Sequence, residues 1–312
     1  MSDVLLLLTG LAMLYFGGEW LVKGGSLLAT RLGVPPLVIG VTVMAIGTSA
    51  PELVVCVHAA LAGENDIALG NVVGSNISNI GLILGIALVM RPIISSPSVA
   101  RVHAPVMLVI TGVVLLMMWG NGLGHVDGLF LLVGLALYVG YCFRECLREP
   151  EEHEVFEIEA PAGRGMGYFL LLLGAGLGLL LLGAHVLVES AVDIARVAGV
   201  SEAFIGITIV AVGTSLPELT TTVVATLRNE GDLAIGNVVG SNIFNLLLIL
   251  GTTAVIEPLV MGGVHWTDLA AVFLISAILV VLLHRRGRLA RGSGMLLLGS
   301  YISYMIWLTA TA

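Results

Sequence analysis

Gly47-Thr48-Ser49-Ala50-Pro51-Glu52-Leu53 returns as Gly213-Thr214-Ser215-Leu216-Pro217-Glu218-Leu219, and Gly70-Asn71-Val72-Val73-Gly74-Ser75-Asn76 returns unchanged as Gly236-Asn237-Val238-Val239-Gly240-Ser241-Asn242. Both pairs stand 166 positions apart (213 − 47 and 236 − 70), and residues 33–93 align on residues 199–259 without a gap. A duplication on this scale decides the architecture before any single motif does. Each copy keeps one acid, Glu52 and Glu218, inside otherwise apolar sequence.

The chain has 312 residues, of which 58% are hydrophobic and 11% charged, with mean hydropathy +1.06. Too little polar surface remains to cover a water-soluble globule, so the composition implies an integral membrane protein in contact with the lipid bilayer. The net charge is −8, and the few basic residues lie in short loops without a basic groove, which argues against nucleic acid. Cys56, Cys142 and Cys146 match neither a disulfide framework nor a zinc site and read as inert thiols. The first apolar run, Val4 to Phe16, lacks a basic leader and reads as a retained span.

Apolar runs of membrane-crossing length, arbitrated by the duplication, give ten spans near 3–22, 34–62, 67–90, 104–119, 126–143, 167–190, 200–227, 233–256, 266–284 and 294–311. The expected fold is all-α, with ten transmembrane helices and breaks in helices two and seven. Residues 1–143 and 167–312 form the two five-helix repeats, joined by a linker over 144–166. An odd number of crossings per half makes the repeats inverted, an arrangement expected of secondary transporters.

Loops after the odd-numbered spans carry every Lys and Arg except Arg196. Basic loops stay cytoplasmic, so both termini are expected outside, in a multi-pass protein of the cell inner (plasma) membrane. The linker is acidic, with Glu149, Glu151, Glu152, Glu154, Glu157 and Glu159, but lacks calcium-loop spacing and reads as a solvated hinge.

The chemistry concentrates in spans two, three, seven and eight. Pro51 and Pro217 each deprive the helix of a donor opposite the glycine four residues back, Gly47 or Gly213. Carbonyls around Ala45, Ile46, Gly47 and Thr48 are therefore expected to be released, with Ala211 and Thr214 in the second copy. Thr48, Ser49 and Glu52, and again Thr214, Ser215 and Glu218, add hydroxyl and carboxylate oxygens. Ser75 and Asn79 lie one helical turn apart, as do Ser241 and Asn245. Glycines four apart in the same segments let another helix approach closely. Asn71, Asn76, Asn237 and Asn242 are expected to hydrogen-bond between helices.

An intramembrane carboxylate costs several kcal/mol, from about 2.5 to above 10, unless paired or hydrated. No Lys or Arg shares these stretches. Cations are the remaining partners, and an all-oxygen donor set suits Ca²⁺ or Na⁺ rather than zinc or copper. Two carboxylates balance one Ca²⁺ or two Na⁺, which is the competition an antiporter needs.

The paired GTSxPE and GNVVGSNxxN segments closely resemble those of the sodium/calcium exchangers of the cation/calcium antiporter superfamily, in particular the compact prokaryotic type. The resemblance implies exchange of Na⁺ for Ca²⁺ by alternating access, with four adjacent cation positions. By that resemblance Glu52 and Glu218 are central calcium ligands, assisted by the Thr48 and Thr214 carbonyls. Ser49, Ala45 and Ser75 line one sodium position, Ser215, Ala211 and Ser241 its mirror image, and Asn79 and Asn245 the middle one. Spans one and six resemble the pair that slides past the core. Some potassium-dependent relatives carry aspartate at the position of Asn245, so asparagine here favours potassium independence. The transported ions are the substrates; no cofactor, enzymatic activity or obligate protein partner is expected.

Glu19 and Glu189 read either as guides for cations or as hydrated helix ends, and His58 as a packed or interfacial group. A Ca²⁺/H⁺ antiporter on the same scaffold is the main alternative. A channel is disfavoured by the inverted repeats, and an enzyme by the lack of a nucleophile, phosphate loop or metal-histidine cluster.

Overall fold

In the computed structural model, residues 2–120, 122–146, 165–197, 211–286 and 288–311 are described. The acidic centre of the linker and the first part of span seven, 200–210, lie outside them. Among the described residues, eight helices are long and apolar enough to cross a membrane, and nine if the bent pair Pro36–Thr48 and Ala50–Leu61 counts as one.

The helices are α1 (Ser2–Leu32), α2 (Pro36–Ile39), α3 (Ala45–Thr48), α4 (Ala50–Leu61), α5 (Asn65–Ser78), α6 (Gly85–Met90), α7 (Ala104–Met117), α8 (His125–Cys146) and α9 (Met166–Val197). The second half continues with α10 (Ala211–Thr214), α11 (Leu216–Leu227), α12 (Gly231–Phe244), α13 (Leu250–Ile256), α14 (Trp266–Arg286) and α15 (Arg291–Thr311). The first helix runs to Leu32, well beyond the expected end at residue 22, and α9 runs to Val197 rather than 190. Neither stretch contains a proline to stop it.

Burial separates a centre from a periphery. Within an 18-residue apolar stretch of each span, 94% of the residues are buried in Gly231–Ile256 and 72% in Asn65–Met90, against 28% in α1, 28% in α9 and 11% in α15. The duplicated GNVVGSN segments therefore form the middle of the molecule, and the long glycine-rich helices flank it.

Close approach at two seams follows from glycine. A Cβ on Gly176 would lie 2.5 Å from Leu21 N, one on Gly17 2.7 Å from Leu180 N, and one on Gly183 2.8 Å from Leu14 N. As residue numbers rise in α1 they fall in α9, so these helices run antiparallel along a backbone-to-backbone contact. A Cβ on Gly240 would lie 2.6 Å from Val41 Cα and 2.8 Å from Ala45 Cβ. The second seam thus presses α12 onto the segment that leads into the Gly47 motif.

Small features repeat at the same offset. Helix α4 ends with Glu64 N–H on Ala59 O and α11 with Glu230 N–H on Ala225 O. The left-handed residue between is Gly63 in the first and Asn229 in the second, the non-glycine type that best tolerates positive φ. Asp66 accepts from the N–H groups of Gly262 and Gly263, and Asp232 accepts from Ser96 N–H.

Among the described residues, four two-residue strands add to the helical fold. Strand β1 (Ile93–Ile94) pairs antiparallel with β4 (Arg288–Leu289), and β2 (Gly122–Leu123) with β3 (Leu259–Val260). Each pair joins one half of the chain to the other.

Candidate cation-binding site

The chain bends by 44° between Pro36–Thr48 and Ala50–Leu61. Pro51 stands in the first turn of α4, where its missing N–H costs nothing, and Glu52 follows in the same turn. Helix α11 repeats this with Pro217 and Glu218. The positive end of each short helix thereby faces its own carboxylate. Glu52 and Glu218 are each only 1% exposed.

Ser49 and Ser215 occupy the N-cap positions, yet neither side chain caps its helix. The Ser49 hydroxyl instead donates to Glu218 Oε1 at 3.0 Å. Thr48, fully buried, directs its hydroxyl toward Asn237 Oδ1 at 3.3 Å and toward Ala45 O at 3.4 Å. Ala45 departs from the expectation of a released carbonyl, because its oxygen also accepts Ser49 N–H at 3.1 Å. The bend leaves that one helical bond intact, and the Thr48 hydroxyl approaches the same oxygen.

The asparagines connect the halves across the middle. Asn79 Nδ2 donates to Asn242 Oδ1 at 3.1 Å, and Asn245 Nδ2 to Asn76 Oδ1 at 3.5 Å. Both bonds obey the 166-residue offset. So do Asn71 Nδ2 to Cys56 Sγ and Asn237 Nδ2 to Thr222 Oγ1, each at 3.2 Å. Their role as groups that tie helices together is thus observed directly.

Asn79 opens a π-helical turn, Asn79–Leu84, and Asn245 opens another, Asn245–Ile249. Widened turns loosen the regular carbonyl ladder and recur at functional sites. Propensity gives no signal for them. Ser75 and Ser241 are buried on α5 and α12. Thr214 and Ala211 lie on α10.

The decisive feature is what these groups lack. Oε2 of Glu52 and of Glu218, Oδ1 of Asn79 and of Asn245, and Oγ of Ser241 are buried without a hydrogen-bond partner. Such orphans are rare and costly in a folded protein. Here two kinds of orphan occur in symmetry-related pairs. No group of three His, Cys, Asp or Glu side chains forms among the described residues. The donors available are carboxylate, amide and hydroxyl oxygens, a set suited to hard cations.

Helix α9 covers both motifs. Leu177 Cδ2 lies where a Cβ on Gly47 would be 2.9 Å away, and Val188 packs on Gly213. Glu19, by contrast, is not free to guide cations, since Arg228 holds it.

The family model for the sodium/calcium exchanger protein matches residues 2–144 and again 168–310. The chain belongs to the sodium/calcium exchanger family. It is 36% identical over 310 residues to the inner membrane protein YrbG of Escherichia coli K12, covering 97% of this chain and 94% of that one. It is 32% identical to the sodium/calcium exchanger MaX1 of Methanosarcina acetivorans, covering 97% of each. Its fold superposes on the sodium-calcium exchanger NCX_Mj soaked with 2.5 mM Na⁺ and 0.1 mM Ca²⁺, with TM-score 0.86, 32% identity and 98% of each chain covered. This family member is therefore an all-α integral membrane protein of antiporter type.

Proposed function

We propose that this exchanger carries Na⁺ and Ca²⁺ in opposite directions by alternating access, independently of K⁺, with Glu52 and Glu218 as the shared central ligands. The observation that carries this reading is the symmetry-paired set of buried, unpartnered oxygens on Glu52, Glu218, Asn79 and Asn245. Thr48, Thr214, Ser49, Ser215, Ala45, Ala211, Ser75 and Ser241 complete the flanking positions. Ca²⁺ takes six to eight oxygens, and Na⁺ competes for the same groups. A site that holds one or the other, never both, couples their movements.

The architecture we infer is ten spans in two inverted repeats, 1–143 and 167–312, linked by 144–166. Antiparallel packing of α1 on α9, whose glycines correspond under the offset, supports the inversion. The strand pairs support the count, because the loops after spans three and nine meet in one pair and those after four and eight in the other. The basic loops support a cytoplasmic 228–230 turn and both termini outside.

Helix α1 packs along α11, whereas the equivalent pairing of α9 with α4 is all but absent. That asymmetry supports a state closed on the face of residues 228–230 and open on the face of residues 62–64.

The test is ⁴⁵Ca²⁺ uptake into proteoliposomes under imposed Na⁺, K⁺ or H⁺ gradients, one at a time. The Na⁺ gradient alone should drive uptake. Uptake driven by a pH gradient without Na⁺ or K⁺ assigns the chain to Ca²⁺/H⁺ exchange instead.

A further inference from the structure

Two contacts fasten α1 to the short turn between α11 and α12. Arg228, the C-cap of α11, engages both carboxylate oxygens of Glu19, with Nε to Oε1 at 2.9 Å and a terminal guanidinium nitrogen on Oε2. Two helical turns farther on, Ser26 Oγ donates to Glu230 Oε1 at 2.9 Å, in a buried contact. Burial pushes the Glu230 carboxyl above the usual carboxylate range, while the Ser26 bond and the Arg228 charge draw it back. A seven-residue spacing puts Glu19 and Ser26 on one face of α1, so both reach the same three-residue turn.

The duplication supplies an internal control. Under the 166-residue offset Glu19 corresponds to His185, Ser26 to Val192, Arg228 to Ala62, and Glu230 to Glu64. None of these can rebuild the contacts. His185 lies 3.3 Å from Glu189 of its own helix, both about two-thirds exposed. Ala62 and Val192 have no polar side-chain atom, and Glu64 is exposed. The fastening exists at one face of a scaffold that otherwise repeats itself.

We propose that Glu19–Arg228 and Ser26–Glu230 form a one-sided latch that positions α1 and favours the state closed on the face of residues 228–230. The proposal rests on the alternating-access reading above. With inverted repeats, exchanging the conformations of the halves generates the opposite state, in which α1 sits as α9 does now and the latch is broken. Two mirror-related states would be nearly equal in energy. A contact available in only one of them removes that balance. Glu19 is 19% exposed and Arg228 42%, so water screens the pair and its effect is modest. At about 0.2–1 kcal/mol for such a pair, the expected shift in the equilibrium is about 1.4- to fivefold.

The experiment measures apparent Ca²⁺ affinity and maximal exchange rate separately for the two faces in vesicles of defined orientation. Wild type is compared with Glu19→Gln, Arg228→Gln, Ser26→Ala and the double exchange Glu19→Arg with Arg228→Glu. Each single variant should raise apparent affinity on the 228–230 face by up to about fivefold and lower it on the other. The double exchange should return both values toward wild type. Equal changes on the two faces, no change, or single-variant behaviour in the double exchange would overturn the latch. Ser26→Ala keeps every charge and so provides a readout if a charge variant fails to assemble. Absence of exchange in wild type would instead count against the antiport reading itself.

Discussion

Ser49, which stands at the N-cap of the helix that bears Glu52, donates its hydroxyl to Glu218 of the other half at 3.0 Å. The helix that carries one acid is thereby tied to the other acid. A hydroxyl that could have capped its own helix instead holds a carboxylate across the molecule, leaving Glu218 Oε2 without a partner.

Glu52→Gln and Glu218→Gln should each reduce Ca²⁺ flux to the background of empty liposomes. Neither should prevent assembly, because replacing a buried charge that has no protein counter-ion relieves a cost rather than creating one. Flux assays beside size-exclusion profiles check both halves of this expectation.

Ser49→Ala removes a hydrogen bond to a charged group, an interaction typically worth about 1.5–3 kcal/mol. Ca²⁺ affinity should weaken by about tenfold or more. Thermal stability should fall as well, because the bond is already formed in the fold and its loss leaves Glu218 Oε1 buried without that donor. Calorimetric titration and a melting curve separate the two effects.

Asn242 accepts from Asn79 and also donates to the Asn76 carbonyl at 3.3 Å. Asn242→Ala should destabilise the protein by about 1–3 kcal/mol, because it leaves the Asn79 amide donor buried and unmatched. The loss should exceed that of Asn71→Ala, whose donor contacts only a cysteine sulfur. Melting temperatures in detergent rank the two.

Gly240→Ala should be disruptive despite its small size. Its Cβ would meet Val41 Cα at 2.6 Å, a backbone atom unable to step aside. Overpacking of this kind costs about 1–3 kcal/mol, and the displaced segment leads into Ala45 and Thr48. Reduced melting temperature together with reduced Ca²⁺ affinity is the expected result.

Protons compete with metal for the same carboxylate oxygens. At fixed Ca²⁺, uptake should fall as pH is lowered, and higher Ca²⁺ should restore it. An initial-rate series over pH and Ca²⁺ shows whether the inhibition is competitive.

The repeated motifs and their acids were legible in the sequence because a carboxylate in an apolar helix has few physical explanations. The asparagine pairs were legible as a class, since buried amides must find partners, but not as individual bonds. The π-helical turns at Asn79 and Asn245 were hidden, because they arise from tertiary packing and leave no compositional trace. The same holds for the strand pairs that join Ile93 to Leu289 and Leu123 to Leu259, which need both halves in place. Glu19 read as a cation guide or a hydrated helix end. Its partner Arg228 stands 209 residues away, beyond the reach of any local pattern.

The most direct measurement is the anomalous difference map of crystals soaked in Ca²⁺ without Na⁺, then transferred to Na⁺. A peak about 2.3–2.6 Å from carboxylate oxygens of both Glu52 and Glu218, lost on transfer, is the predicted result. No peak between them, or either carboxylate held by a basic side chain or turned toward lipid, would contradict the account.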